Sequence, residues 1–523
     1  MSRFFNVAGP CIPGKHYMLD PMRGMGSELM RFINSEQYFI IHAARQSGKT
    51  TLIWELANDI NAHGKYHALY CSLEAIQEFT DPEKGIPEIV RKIASSIENQ
   101  SLPTGFAKDA DYSDTSGVLN TSLVRYCRSL DKPLVVFFDE ADCLSDGTLI
   151  TFLRQLREGY ISKGRVPFVH SLALVGLRNL RDYKVRVRPD SESRGGASPF
   201  NIVTEYINLR NFLPAEVTEL YAQHTVETGQ AFEPEAVDYA FEQTLGQPWL
   251  VNAIAREATV KILREDYSKP VTRALVEQAI QNIILARGTH VDSLMERLRD
   301  PRIRKVIEPL ILGDVVMDEE TDDYQYTKDL GLIRENGGKV ESANPIYAEL
   351  IVRMLSNSVQ KSISNTHTNY EPPRYMKDGR LDMDFLISDF QTYWRENSEI
   401  WISRYKTELY EYDEAAPHLV IQAFLQRVIN GGGKIMREMA LGTGRCDLCV
   451  VYGEQKYPIE LKILQNMRKS VDPMEQLTKY MDKVGSNFGW LVIFDKDTKK
   501  NWDEKIYIRK EYADGKEITV AGC

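Results

Sequence analysis

The residues most able to do chemistry form two groups far apart in the chain. The first is Ala43-Ala44-Arg45-Gln46-Ser47-Gly48-Lys49-Thr50-Thr51, between the apolar run Tyr38 to Ile41 and a helical period opened by Leu52, Trp54 and Leu56. A loop of backbone N–H groups between a strand and a helix N-terminus binds phosphate, because the amides and the helix dipole both point at the anion. Lys49 would neutralise the β and γ phosphates of a nucleotide. Thr50 would hold Mg2+ through its hydroxyl, and Gly48 lets the backbone approach closely. Ala43 replaces the first glycine of the usual pattern. A second signal supports the first: Leu134 to Phe138 reads as a buried parallel strand that ends in Asp139 and Glu140. Asp139 would take the metal through water and Glu140 would polarise an attacking water.

The second group lies near the C-terminus. Arg445 to Val451 and Tyr457 to Ile463 read as two paired strands. Side chains alternate along a strand, so Glu460 and Lys462 share one face while Ile459, Leu461 and Ile463 enter the core. Across a hairpin, Asp447 can meet that face. Two carboxylates converging on one point are costly without a cation, so the expected metal set is Asp447 and Glu460, with Leu461 between Glu460 and Lys462 counted in it, and the cation is Mg2+ or Mn2+. Lys462 would orient or deprotonate a metal-bound water. That is phosphodiester hydrolysis chemistry. Gln476 and Tyr480 are four apart and occupy one face of a helix.

The elements that must position these groups set bounds. A chain of 523 residues, 43% hydrophobic and 26% charged, is ordinary globular chemistry spread over several domains. A net charge of -10 excludes a protein that coats nucleic acid through its whole surface, so any contact with DNA needs a local basic patch. Arg427, Arg437, Arg445, Arg468 and Lys469 around the second group are candidates for it. No run of eighteen apolar residues and no leader-like start are present, which predicts a cytoplasmic protein with no membrane partner. Seven scattered cysteines read as reduced and buried, and Cys446-x-x-Cys449 lacks the further ligands a zinc site needs.

Further strands are expected at Tyr66 to Ser72, Pro133 to Phe138 and Phe168 to Val175, giving a parallel sheet wrapped by helices over 1–212. Helical signals cover 213–287. Over 288–356 the order of helix, hairpin (turn at Asn336-Gly337-Gly338) and helix suggests a winged helix. Ser, Asn, Thr and Pro between Ser356 and Gly379 suggest a linker over 357–380, and a last α/β domain fills 381–523.

The loop at 43–50, the Phe-Phe-Asp-Glu strand and Ser198-Pro199-Phe200-Asn201 resemble the AAA-like ATPases of the STAND clade of AAA+ proteins. That resemblance implies ATP as the ligand, with Arg45, Gln46, Ser47 and Thr51 in the phosphate loop. It also implies a γ-phosphate-sensing arginine at Arg178 and a Gly-x-Pro against the base at Gly246-Gln247-Pro248, with His16-Tyr17 to Arg23 lining the base. Arg154 and Arg157, one turn apart, could act on a neighbouring subunit's phosphate in a homo-oligomer, or simply solvate a helix face. Asp447, Glu460 and Lys462 resemble the PD-(D/E)xK nuclease pattern, with Cys446 where the family has proline. The resemblance adds an acidic residue, Glu414 or Glu438, and a Gln-xxx-Tyr extension at Gln476 and Tyr480. The whole chain is similar to prokaryotic proteins joining an AAA-like ATPase, a winged helix and a restriction-endonuclease-like domain. Two functions are therefore expected to compete: an ATP-regulated nuclease acting on foreign or mobile DNA, and a nucleotide switch whose nuclease-like domain only binds DNA or a partner.

Overall fold

A computed structural model describes residues 3–106, 115–144, 146–176, 202–286, 296–298, 300–310, 321–337, 339–351, 372–377, 379–405, 415–429, 433–437, 447–464, 472–495, 497 and 499–523. Contacts divide the chain into one unit made of Met1–Val306 with Val316–Ala348 and another made of Ile307–Val315 with Glu349–Cys523.

In the first unit five strands form one parallel sheet: β1 (Tyr38–His42), β2 (His67–Ser72), β3 (Leu134–Asp139), β4 (Ser171–Gly176) and β5 (Val203–Asn208), in the order β2-β3-β4-β1-β5. Both faces are covered, so the strands read as continuous apolar runs, and every residue of β3 is buried. The period of two still sorts them. Leu69, Val136, Phe138 and Leu174 face a core built from α3 (Pro82–Asn99), α4 (Val118–Ser129) and α5 (Asp146–Ser162). Ala68, Val135, Phe137 and Val175 face α1 (Gly26–Asn34) and α2 (Lys49–His63). Truncating Phe138, fully buried and edge-on to Phe152, to alanine would cost about 3–5 kcal/mol. The edge strand β5 has no counterpart in the sequence reading: Thr204, Glu205 and Asn208 dilute its apolar pattern, and pairing with β1 makes it a strand.

The next helices are α6 (Pro214–Thr228), α7 (Pro234–Thr244), α8 (Pro248–Arg256) and α9 (Arg273–Ala286), the first three with proline in the first turn where its missing N–H costs nothing. The turn into α8 is tightly determined. Gly246 has φ +72, and a Cβ there would lie 1.9 Å from the carbonyl oxygen of Phe212. The N-terminal strap is part of this layer. Phe5 is buried among Tyr17, Tyr221, His224 and Phe232, and Arg3 pairs with Glu227 at 2.8 Å.

Beyond it come α10 (Pro301–Leu310), α11 (Asp322–Asp329), the hairpin β6 (Ile333–Asn336) with β7 (Lys339–Ser342), and a helical stretch over 345–351. Gly331, left-handed at φ +71, ends the turn after α11. A Cβ on it would come within 2.3 Å of the Cβ of Ala44, so the turn rests on the phosphate loop.

The second unit carries a six-stranded sheet flanked by helices. A short hairpin, β8 (Met376–Lys377) with β9 (Arg380–Leu381), precedes α12 (Met383–Tyr405), α13 (Ala415–Ile429), β10 (Gly433–Arg437), β11 (Leu448–Tyr452) and β12 (Gln455–Ile463). Then follow α14 (Pro473–Val484), β13 (Phe488–Phe494), α15 (Trp502–Lys505), β14 (Tyr507–Ala513) and β15 (Lys516–Gly522). The order is β10-β11-β12-β13-β15-β14. β10, β11 and β12 form an antiparallel meander, whereas β12, β13 and β15 run parallel. Phe390 of α12 and Phe424 of α13 pack on one face, Leu477 and Met481 of α14 on the other. The expected linker over 357–380 needs an adjustment at its end. Tyr375 is fully buried in this core and its hydroxyl donates to Asp389 at 2.9 Å, so the hairpin belongs to the folded unit. Residues 357–371 and 378 of that linker lie outside the described residues.

Candidate nucleotide site and candidate metal centre

At the carboxyl ends of β1 and β3 the chain turns back into helices, the place where open parallel sheets bind ligands. From β1 the loop passes through Gln46 and Gly48, both left-handed at φ 58 and 97, into α2, whose first turn begins with Lys49. Ala43 is not left-handed, so its methyl group is compatible with the backbone and a glycine is not required there. Its carbonyl accepts from Lys49 Nζ at 2.8 Å, as does that of Ala44 at 2.9 Å, while Ser47 Oγ donates to the Ala44 carbonyl at 2.8 Å. Burial pushes the Lys49 ammonium below its ordinary pKa, with Glu140, Asp142 and Asp139 opposing that shift. A phosphate at this loop would compete with the two carbonyls for the ammonium.

Thr50 Oγ1 donates to Asp139 Oδ2 at 2.8 Å, and Tyr70 OH donates to the same oxygen at 3.2 Å. Burial raises the Asp139 carboxyl against those hydrogen bonds and against Lys49. Glu140, left-handed at φ 53, is raised too, first by burial and then by Asp142. A hydroxyl, a carboxylate at its shoulder and a second carboxylate one residue on fit a magnesium ion beside a phosphate chain.

The cleft over this loop, about 390 Å³, is lined by Arg45, Gln46, Gly48, Lys49, Thr50, Thr51 and Glu140 on its phosphate side. Tyr17, Leu19, Phe212, Leu220, Pro248 and Trp249 form an apolar wall farther out. The strap is tied across it. Cys11 N–H donates to Thr51 Oγ1 at 3.0 Å, and Trp249 Nε1 donates to the carbonyl of Val7 at 2.8 Å. Arg23 donates from Nη2 to the Ser47 carbonyl at 2.6 Å and from Nη1 to the Arg210 carbonyl, with its guanidinium 4.7 Å from the Phe212 ring centre. Burial brings Arg23 down to about 10.

In the second unit the register pairs Leu448 with Ile459, which sets Asp447 opposite Glu460. Asp447 Oδ2 accepts from the Leu461 N–H at 2.8 Å, and Lys462 Nζ lies 2.7 Å from Glu460 Oε1 as an ion pair. Glu460 and Lys462 are the pair that the sequence reading sets on one strand face. Helix α14 covers that face, and Glu460 is fully buried; among the described residues neither of its oxygens accepts a hydrogen bond of normal geometry. Burial, then the charge of Asp447, raise its carboxyl to about 8 despite Lys462. Such a group calls for a proton or a cation. A divalent ion between Asp447 and Glu460 fits this donor set. Leu461, whose side chain is in the core, can contribute only its backbone. Gln476 and Tyr480 both lie on α14, Gln476 partly exposed and Tyr480 buried against Cys449.

A family model described as an AAA-like domain matches residues 25–352, more than half of the chain. The chain belongs to the AAA-like family. Its AAA-like domain is a P-loop ATPase domain, a fold that binds nucleotide, usually with Mg2+. A second model, described as a domain of unknown function, matches 359–498. No curated protein matches. Among solved structures, a Walker-type ATPase of Pyrococcus abyssi is 16% identical, with 66% of this chain and 99% of that one covered and a TM-score of 0.49. Cdc6p from Pyrobaculum aerophilum is 13% identical (67% and 97%, TM-score 0.36). The Thermotoga maritima RuvB Holliday junction branch migration motor is 11% identical (63% and 93%, TM-score 0.33).

The structure brings Arg45, Gln46, Gly48, Lys49, Thr50, Thr51, Glu140 and Pro248 to one cleft with Tyr17 to Pro21 and Arg23 of the strap, while Ala43 and Asp139 stand behind it, hydrogen-bonded to Lys49 and Thr50. Arg178, Glu414, Glu438, Cys446 and the side chains of the expected basic patch lie outside the described residues. Arg154 is exposed and Arg157 half-buried on α5. Sequence reasoning missed Tyr70, Cys11, Trp249 and Asn252, which no local pattern marks. Cys449 is a buried free thiol, and among the described residues no cluster of metal-ligating side chains surrounds it. No described helix is long and apolar enough to cross a membrane.

Proposed function

We propose that this chain is an ATP-regulated, metal-dependent nuclease in which the AAA-like domain controls a phosphodiesterase site at Asp447, Glu460 and Lys462. The observation that carries the reading is Glu460, a fully buried carboxyl raised to about 8, opposite Asp447 in the strand register and 2.7 Å from Lys462. A carboxylate in that position is stabilised by a divalent cation, and a lysine beside it can hold or take a proton from water. An antiparallel meander followed by parallel strands, with helices on both faces, supports a restriction-endonuclease-like domain over 381–523, extended forward to the hairpin at 376–381. Helix and hairpin over 301–342 support a winged helix, read as a packing element because it rests on the phosphate loop. The substrate is DNA, the ligand ATP with Mg2+, and the setting is defence against foreign or mobile DNA.

The test is to incubate wild type and Asp447→Ala with linear, circular and single-stranded DNA, with Mg2+ or Mn2+, and with or without ATP. Cleavage by wild type alone supports the reading. Cleavage surviving Asp447→Ala removes the metal site, and no cleavage in any arm favours a nucleotide switch.

A further inference from the structure

Asn252 occupies the second turn of α8, among Leu250, Val251, Ala253 and Ile254, all buried. An asparagine there is a weaker helix former than its neighbours and is itself only 6% exposed. Its amide orientation follows from its partner. The Pro248 carbonyl, 2.9 Å away, can only accept, so the atom facing it is Nδ2. That leaves Oδ1 buried with no hydrogen-bond donor among the described residues. A buried acceptor in this state costs about 1–3 kcal/mol, a cost that an apolar residue of similar volume would avoid.

Asn252 lines the nucleotide cleft, alongside Tyr17, Leu19, Pro248 and Trp249. Leu19, Pro248 and Trp249 suit a flat, apolar ring, and Asn252 adds beside them a buried acceptor able to tell one base from another. We propose that Asn252 reads the base: its Oδ1 accepts a hydrogen bond from the exocyclic amino group of adenine, making the cleft selective for adenine over guanine nucleotides. This rests on the reading of the cleft as the nucleotide site. Adenine carries a donor at its 6-position, whereas guanine carries a carbonyl oxygen there, which would face Oδ1 acceptor to acceptor. Hydrogen-bonding sites of this kind discriminate by leaving buried groups unpaired with the wrong ligand.

The experiment measures, by calorimetry with Mg2+ on the full chain, binding of ATP, GTP and purine riboside triphosphate, which lacks any 6-substituent. Wild type is expected to favour ATP over the purine analogue by on the order of ten-fold, and over GTP by more. Asn252→Leu, which keeps the branching at Cγ but has no hydrogen-bonding atoms, and Asn252→Ala should both reduce the ATP-to-analogue ratio to near one. Equal binding of ATP and the analogue by wild type overturns the proposal, as does retention of the ratio in a folded variant. Failure of both variants to fold would assign the amide to structure and overturn it too. Wild type that binds none of the nucleotides removes the nucleotide reading itself, an outcome distinct from loss of selectivity alone.

Discussion

Thr50 and Tyr70 approach Asp139 Oδ2 from two elements, at 2.8 and 3.2 Å. The carboxylate oxygen that would steer a magnesium ion is thus fixed from α2 and from β2. Removing the Tyr70 hydroxyl leaves Thr50 alone to orient it. Tyr70→Phe is expected to raise the Mg2+ concentration needed for half-maximal nucleotide turnover several-fold while leaving metal-free nucleotide binding unchanged; an unaltered Mg2+ titration would refute this role. Thr50→Ala should show a larger defect of the same kind, and Lys49→Ala should abolish binding with or without metal.

Gly246 gives a prediction about stability. Its left-handed φ of +72 and the 1.9 Å approach of a Cβ to the Phe212 oxygen forbid a side chain without backbone movement. Gly246→Ala is expected to destabilise the AAA-like domain by on the order of 2–4 kcal/mol and to lower its thermal midpoint by several degrees. Gly229→Ala, also left-handed but with nothing within 4 Å, should cost less, and equal losses in the two variants would argue against the steric account.

In the C-terminal unit, Lys462→Ala and Asp447→Ala should each reduce DNA cleavage by at least about a hundred-fold, a typical scale for a positioned acid–base group. Nucleotide affinity should be unaltered, because neither residue lines the nucleotide cleft. Loss of both activities together would indicate unfolding, which circular dichroism would reveal.

Glu460 makes stability depend on pH. Its folded value of about 8 lies above the ordinary 4.5, so the folded state holds its proton more tightly than the unfolded chain. Its contribution is fully present below about 4.5 and is lost as pH rises through 8. Without divalent metal, the melting temperature should fall between pH 6 and 8.5 by more in wild type than in Glu460→Gln. With Mn2+ the order should reverse, since metal and proton compete for the carboxylate. A pH-independent Mn2+ shift in thermal denaturation would contradict the assignment.

The legible parts of the sequence were those in which chemistry and local period coincide. Lys49 and Thr50 follow a buried strand, and Asp139 ends another, so the loop, the helix and the carboxylate that closes β3 can all be placed from spacing. Asp447 and Glu460 were legible for the same reason, because a hairpin converts spacing into register. Burial of the second face was not. The amphipathic pattern of α14 shows that Leu477 and Met481 seek a core, without saying that β12 and β13 supply it. Trp249 and Val7 meet at the nucleotide cleft across 242 positions, Cys11 reaches Thr51 across 40, and Asn252 joins them there only through tertiary folding.

The contact of Gly331 with Ala44 has a thermodynamic reciprocal. If nucleotide reshapes the phosphate loop at Ala44, the turn after α11 must move or strain with it. Linkage then requires that whatever pulls on the hairpin alters nucleotide affinity by the same factor as nucleotide alters the pull. Information would cross this junction in both directions, and an effector that engages the hairpin would register as a change in how tightly the nucleotide is held at equilibrium.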